Sequence, residues 1–151
     1  MQTILNMINV SKEKYESISK MLELTQKQAQ SIDEDNYDLF DSLNSEKQKI
    51  IESINKYDED FLKNYDEFKK MDEEKLTNEA KILANELRDI VTKILDIMTK
   101  IQSLEDELKE KMDRAKSEVI GKINEYKSQK KGYDAYFKYG MDTSSYFDEK
   151  K

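Results

Sequence analysis

The part of this sequence that comes nearest to a metal site is DEDNYDLFDSLN, which begins at Asp33. Acidic residues at its first and third positions are typical of a calcium-binding loop, where they serve as oxygen ligands. The sixth position, however, is Asp38, where such a loop needs glycine for its turn. The twelfth is Asn44, where a bidentate Glu is needed. A capped helix start is the better interpretation, and no metal or cofactor is predicted.

Catalytic chemistry has few candidate residues in this chain. Histidine and cysteine are both absent, which removes the commonest general base, the Cys–His nucleophile and nearly all zinc sites. Acidic runs such as YDEDF, from Tyr57, and DEEK, from Asp72, are the remaining candidates for a pair of catalytic carboxylates. Such runs more often form the solvated face of a helix. We therefore expect a protein that is not an enzyme and predict no catalytic residue.

The composition favours long helices with a solvated surface. Charged residues make up 39% of the 151 residues and proline is absent. The three glycines stand at positions 121, 132 and 140, so the first 120 residues contain neither Gly nor Pro. A β-rich fold needs turn residues at short, regular intervals, and this chain lacks them. The length indicates one domain, and the composition indicates that it is all-α.

The net charge and the hydropathy restrict the partners. The formal net charge is -7 at pH 7. This disfavours nucleic acid and anionic membrane, because both attract a cationic surface. No apolar run exceeds three residues, so neither a transmembrane helix nor a signal peptide is predicted. The cytoplasm is the expected compartment.

Apolar residues at heptad spacing predict three long helices, at about residues 2–32, 35–70 and 73–130, followed by a tail over residues 131–151. The expected fold is an antiparallel bundle or coiled coil in which the third helix is the longest and the C-terminal tail is aromatic. Neither proposed break contains Gly or Pro, so a single unbroken coiled coil is an open alternative.

Each helix has its own apolar seam. The seam of the first is formed by Ile4, Ile8, Ser11, Tyr15, Ile18, Leu22, Thr25, Ala29 and Ile32. The seam of the second is formed by Phe40, Leu43, Lys47, Ile50, Ile54, Tyr57, Phe61 and Phe68. The seam of the third is formed by Leu76, Ala80, Leu83, Leu87, Ile90, Ile94, Ile97, Ile101, Leu104 and Leu108. Glu105 falls outside this third seam and is expected on a solvated face.

The first break is predicted from residues that cap helices. Ser31 and Glu34 have the spacing of a capping box, and Asp33 or Asp35 are further candidates for the cap of the second helix.

The C-terminal part of the sequence is unusually aromatic. Seven of the fourteen aromatic residues lie in the last 26 positions, after the stretch in which the heptad phase slips and in which Gly121 lies. Aromatic residues are enriched among the residues that anchor a partner. Either these rings contact a partner, or they fold back and close one end of the bundle.

Two short motifs indicate a family. The stretch LNSEKQKII at residues 43–51 resembles the Glu-Lys-Gln segment near the start of the second helix in the FlgN-type flagellar export chaperones. The ending SSYFDEKK resembles the aromatic-Asp-x-Lys tail of that family's Gram-positive members. The two motifs lie at the expected distance in an all-helical chain, so the resemblance covers most of the length.

The resemblance implies a cytoplasmic chaperone, a single helical domain over residues 1–151, that binds hook–filament junction proteins before type III secretion. It implies that the C-terminal helix and tail contact the client, and that an aromatic residue near the tail helps docking at the export gate. The residues to which this partner-binding role is carried over are Val119, Ile120, Ile123, Tyr126, Tyr133, Tyr136, Phe137, Tyr146 and Phe147.

Two other functions share most of these features. A structural coiled-coil adaptor or spacer would self-associate into a homo-oligomer through the Leu76–Leu108 face. A related chaperone for the filament-cap protein or for flagellin would show nearly the same sequence pattern.

Overall fold

Three α-helices make up most of the computed structural model, which describes residues 1–129. They are α1 (Gln2–Asp33), α2 (Tyr37–Lys69) and α3 (Asn78–Gln129), and a short 3-10 turn (Glu73–Lys75) lies between α2 and α3. The described residues contain no strand. The predicted all-α fold of long packed helices, the third of them longest, is confirmed. The predicted tail, residues 131–151, lies outside the described residues.

The end of α1 explains why the chain folds back without glycine or proline. Asp35 adopts a left-handed backbone conformation, with φ 55. The amide of Asn36 donates to the carbonyl of Ser31 over 2.7 Å, and the amide of Asp35 donates to the carbonyl of Ile32 over 3.0 Å. This pair of bonds is a Schellman motif, in which glycine usually occupies the left-handed position. The alternative of one unbroken coiled coil is therefore wrong.

The cap of α2 is a residue that the sequence analysis did not select. The side-chain oxygen of Asn36 accepts a hydrogen bond of 3.1 Å from the amide of Leu39. Ser31 is instead buried within α1, where its hydroxyl donates to a carbonyl of its own helix. Asp33 ends α1 and Asp35 forms the turn, so the three residues predicted as caps have other positions.

The start of α3 is set by a second cap. The hydroxyl of Thr77 accepts a hydrogen bond of 3.1 Å from the amide of Ala80, the usual geometry of a threonine cap. Before it, the carboxylate of Asp72 accepts from the amide of Glu74 and holds the short 3-10 turn. The helix therefore begins at Asn78, about one turn later than the acidic residues alone suggested.

Two adjacent stripes of α1 are buried. A helix with two buried stripes packs against two neighbours, which here are α2 and α3. The first stripe is the predicted seam, of which the buried members are Ile4, Ile8, Ser11, Ile18, Thr25 and Ile32. The second lies one position earlier in the heptad and was not predicted. Its buried members are Met7, Met21, Leu24, Gln28 and Ser31.

The core near the start of α1 joins all three helices. Ile4, Met7 and Ile8 of α1 pack with Ala80 and Leu87 of α3. Two partly buried rings of α2 cover this cluster, and they belong to Phe61 and Phe68.

Polar contacts between the helices show their relative directions. Thr3 donates to the carboxylate of Glu67 over 2.9 Å, and Lys14 donates to that of Asp58 over 2.5 Å. The partner number on α2 falls as the number on α1 rises, so the two helices are antiparallel. Lys12 pairs with Glu86 of α3 over 3.4 Å. Farther along α1, Gln28 is linked to Glu105 of α3 through the ammonium of Lys47, so this part of α3 runs parallel to α1.

The chain divides into two units, residues 1–105 and residues 106–151, and the division falls within α3. The core and contacts described above belong entirely to the first unit. In the second unit the structure describes residues 106–129.

Candidate partner-binding site

Four of the predicted partner-binding residues lie on the last turns of α3. Val119, Ile123 and Tyr126 are spaced four and three residues apart, so they share one face of the helix. Ile120 follows Val119 and lies about one turn before Ile123. All four predicted side chains are partly buried. We call these four residues the C-terminal face of α3.

The other five predicted residues lie outside the described residues, and their role stays a prediction. They are Tyr133, Tyr136, Phe137, Tyr146 and Phe147.

The charge around this face differs from the charge of the first unit. Residues 106–129 contain six acidic and six basic residues, whereas residues 1–105 contain 23 acidic and 15 basic residues. The net negative charge of the protein is therefore concentrated in the first unit. A partner at the C-terminal face of α3 meets no local excess of negative charge, and long-range repulsion is screened over about 10 Å at ordinary ionic strength.

Gly121 lies within this part of α3 and has no visible steric reason to be glycine. It is exposed, and a Cβ at this position would meet no atom within 4 Å. The helix nevertheless continues through it to Gln129. Glycine costs roughly 1 kcal/mol relative to alanine inside a helix. This position therefore lowers the local stability of α3 without being required by packing.

A buried polar cluster in the first unit is the main feature that the sequence analysis missed. Lys47 is only 4% exposed and Gln28 only 1%. The Lys47 ammonium donates to Oε1 of Gln28 over 2.8 Å and pairs with the carboxylate of Glu105. The side-chain amide of Gln28 also donates to the carbonyl of Phe40. Gln28, Lys47 and Glu105 thus contribute one side chain from each helix to a buried cluster, which we call the polar layer.

The expectation that Glu105 lies on a solvated face was incomplete. Its side chain is 40% exposed, but its carboxylate is bound to the buried ammonium of Lys47. The sequence did contain a signal for this contact, since Lys47 stands in the apolar seam of the second helix. A buried cation requires a partner, but the heptad does not identify a partner on another helix.

Exposed apolar side chains of the first unit do not form a second candidate site. Leu62 on α2 is 58% exposed, and Ile82 and Leu95 on α3 are 66% and 57% exposed. Ile82 and Leu95 point to different sides of α3, because they are separated by thirteen residues at about 100° each. Leu95 and Met98 share one side of α3, and Leu62 and Tyr65 share one side of α2, so these exposed side chains form pairs within a helix and not an extended patch.

In residues 1–129 no group of three or more acidic side chains is arranged to hold a metal ion. None of the helices in this described range has an apolar stretch long enough to cross a membrane. Comparison with known proteins found no matching family model, no matching curated protein and no matching solved structure.

Proposed function

We propose that this protein is a cytoplasmic flagellar export chaperone of the FlgN type, which binds hook–filament junction proteins before type III secretion. The proposed contact surface is the C-terminal face of α3 together with the aromatic residues of the tail, and the export gate is a second partner of the tail. This role needs no catalytic group, metal or cofactor.

The observation that carries the proposal is the position of the C-terminal face of α3. It belongs to a unit separate from the core of residues 1–105, so contacts there need not disturb the packing of that core. The face is apolar and lies in a stretch without net charge. An amphipathic helix of a client can bind such a surface through apolar anchors at helical spacing.

The stretch at residues 43–51, on which the resemblance partly rests, has a structural role in the bundle. It lies within α2, where Leu43 and Lys47 are buried. Lys47 belongs to the polar layer, so this motif contributes to helix packing. The stretch that resembles the family segment therefore contains residues that hold the three helices together.

The local weakness of α3 at Gly121 suits a chaperone. A client must be released at the export machinery, and a binding helix that is less stable near its end loses its contacts at a lower cost. The proposal accordingly places the reversible contact on either side of this glycine.

The proposal is tested by titrating purified junction proteins from the same organism into the full chain in a calorimeter. Ile123→Ala should weaken binding about thirtyfold or more, since truncation of an anchor costs 2 kcal/mol or more. Leu95→Ala is the matched control, because Leu95 is an exposed apolar residue of the same helix in the other unit. It should leave the affinity unchanged.

The alternatives give different results in the same series. Tighter binding of the filament-cap protein or of flagellin would assign the protein to a related chaperone. No binding of any of the three, with a stable homo-oligomer in sedimentation, would favour the coiled-coil adaptor or spacer. The fold-back at Asp35 already shortens any such spacer relative to one continuous helix.

A further inference from the structure

The polar layer places a charged side chain, that of Lys47, among the buried residues of the bundle. Gln28 of α1, Lys47 of α2 and Glu105 of α3 meet there, and Gln28 and Lys47 are almost fully buried. We infer that this layer fixes the register of α3 against α1 and α2, by allowing only one residue of α3 to face the ammonium of Lys47.

One row of the apolar seam of α3 does not by itself fix this register. Leu83, Ile90, Ile97 and Leu104 follow one another at intervals of seven residues. A slip of α3 by one heptad moves the helix by about 10.5 Å and, within this row, mostly replaces apolar residues by one another. The packing of this row therefore distinguishes poorly between registers, whereas the close packing at Ala80, whose place would be taken by the larger Leu87 in one direction, also opposes a slip.

The connection to α2 does not prevent a slip either. Residues 70–77 separate the end of α2 from the start of α3. Eight residues can span up to about 26 Å when extended. This reach exceeds the sum of the displacement of one heptad and the roughly 10 Å that separates neighbouring helices, even though the folded connection contains a short 3-10 turn.

The polar layer does distinguish the registers. The residues seven positions before and after Glu105 are Met98 and Met112. A slip in either direction would place a methionine opposite the ammonium of Lys47, which would then be buried without a counter-charge. An unpaired buried charge is strongly unfavourable, and the selection of register is the best-attested role of a buried polar group in a helical assembly.

The absence of cysteine makes the register directly measurable with introduced thiols. Lys12 of α1 and Glu86 of α3 form an exposed ion pair. In the variant Lys12→Cys with Glu86→Cys, the rate of reaction with a short thiol cross-linker therefore measures the native register. Lys12→Cys with Glu79→Cys or with Lys93→Cys reports slips of one heptad in the two directions. Both of these positions on α3 are exposed.

We name each cysteine pair by its two positions. With the polar layer intact, the 12/86 pair should cross-link about tenfold faster than the 12/79 or the 12/93 pair. A tenfold preference corresponds to a native register that is favoured by about 1.4 kcal/mol. A layer of three methionines, made by Gln28→Met, Lys47→Met and Glu105→Met, should remain helical by circular dichroism. Its preference for the 12/86 pair should fall below about threefold.

A transposed layer provides the second variant. Glu105→Met with Met98→Glu moves the carboxylate by one heptad, and the fastest cross-link should then change from 12/86 to 12/79. The control is Lys14→Met with Asp58→Met, which removes an ion pair between α1 and α2 outside the layer and should leave the preference unchanged.

Three outcomes would overturn the inference. The methionine layer could keep the full preference for the 12/86 pair, which would show that other contacts set the register. It could unfold, which would show that the layer provides stability and not register. The transposed variant could keep 12/86 as its fastest pair while remaining helical.

Discussion

Two neighbouring residues of α3 show how strongly the effect of a charge depends on its position around a helix. Ile94 is 5% exposed and Leu95 is 57% exposed. Ile94→Asp should unfold the bundle or cost several kcal/mol, because it buries a charge without a partner. Leu95→Asp should change the stability by less than about 1 kcal/mol. Melting curves of the two variants measure the difference, and equal effects would mean that the register assigned to α3 is wrong.

A second prediction concerns the carboxylate of the polar layer. Glu105→Lys places a second cation beside the buried ammonium of Lys47 and should destabilise the protein by about 2 kcal/mol or more, after allowance for the partial exposure of Glu105. Asp96→Lys makes the same charge change at an exposed position of the same helix. It should cost less than about 0.5 kcal/mol. Denaturant titration compares them, and a silent Glu105→Lys would show that the ion pair does not persist in solution.

These residues also mark how far the sequence could predict the candidate sites. The spacing of Ile94 within a regular seam predicts its burial. Glu105 could not be placed in the same way, because a heptad defines which face a residue occupies and not which side chain stands opposite. Its partner Lys47 is distant in the sequence, and their contact depends on how α2 and α3 align along α1.

At the scale of the helices, their lengths and types were predictable, while their ends were not. The apolar seams are long and regular, which is the strongest signal of helix. Near the first break, Ser31, Asp33, Asp35 and Asn36 are all able to cap a helix. The choice of Asn36 follows from the left-handed conformation of Asp35, which depends on bonds to the last turn of α1.

The Schellman motif gives a prediction for this turn. Asp35→Gly should raise the stability by about 1 kcal/mol, because an L-residue pays about that much for the left-handed conformation and glycine does not. Asp38→Gly is the matched control, since Asp38 lies in the first turn of α2. It should lower the stability by about 1 kcal/mol through lost helix propensity and a lost negative charge at the helix start. Thermal unfolding measures both signs, and a destabilising Asp35→Gly would contradict the role assigned to the turn.

At the scale of the whole molecule, folding and partner binding are assigned to different parts of the chain. The core of residues 1–105 contains none of the predicted partner-binding residues. The charge follows the same division, because residues 1–105 carry the excess of acidic residues and residues 106–129 carry none. Substitutions at the proposed binding residues should therefore affect affinity more than the stability of the core.

The tail aromatics test this separation most directly. Tyr136, Phe137, Tyr146 and Phe147, changed together to Ala, should barely lower the melting temperature of the isolated protein. The same variant should bind a junction protein or the export gate at least about thirtyfold more weakly, since loss of a true anchor costs about 2 kcal/mol or more. Melting curves and calorimetric titration are made on the same sample.

An aromatic residue of the first unit provides the control for that variant. Tyr65 on α2 is 37% exposed and stacks on Phe61, so Tyr65→Ala should cost some stability and leave the affinity unchanged. If the tail rings instead close one end of the bundle, the order is reversed, because each buried ring lost costs about 3 kcal/mol of stability. Lost stability with unchanged affinity for both partners would then end the assignment of the tail as a binding element, and the C-terminal face of α3 would have to account for binding alone.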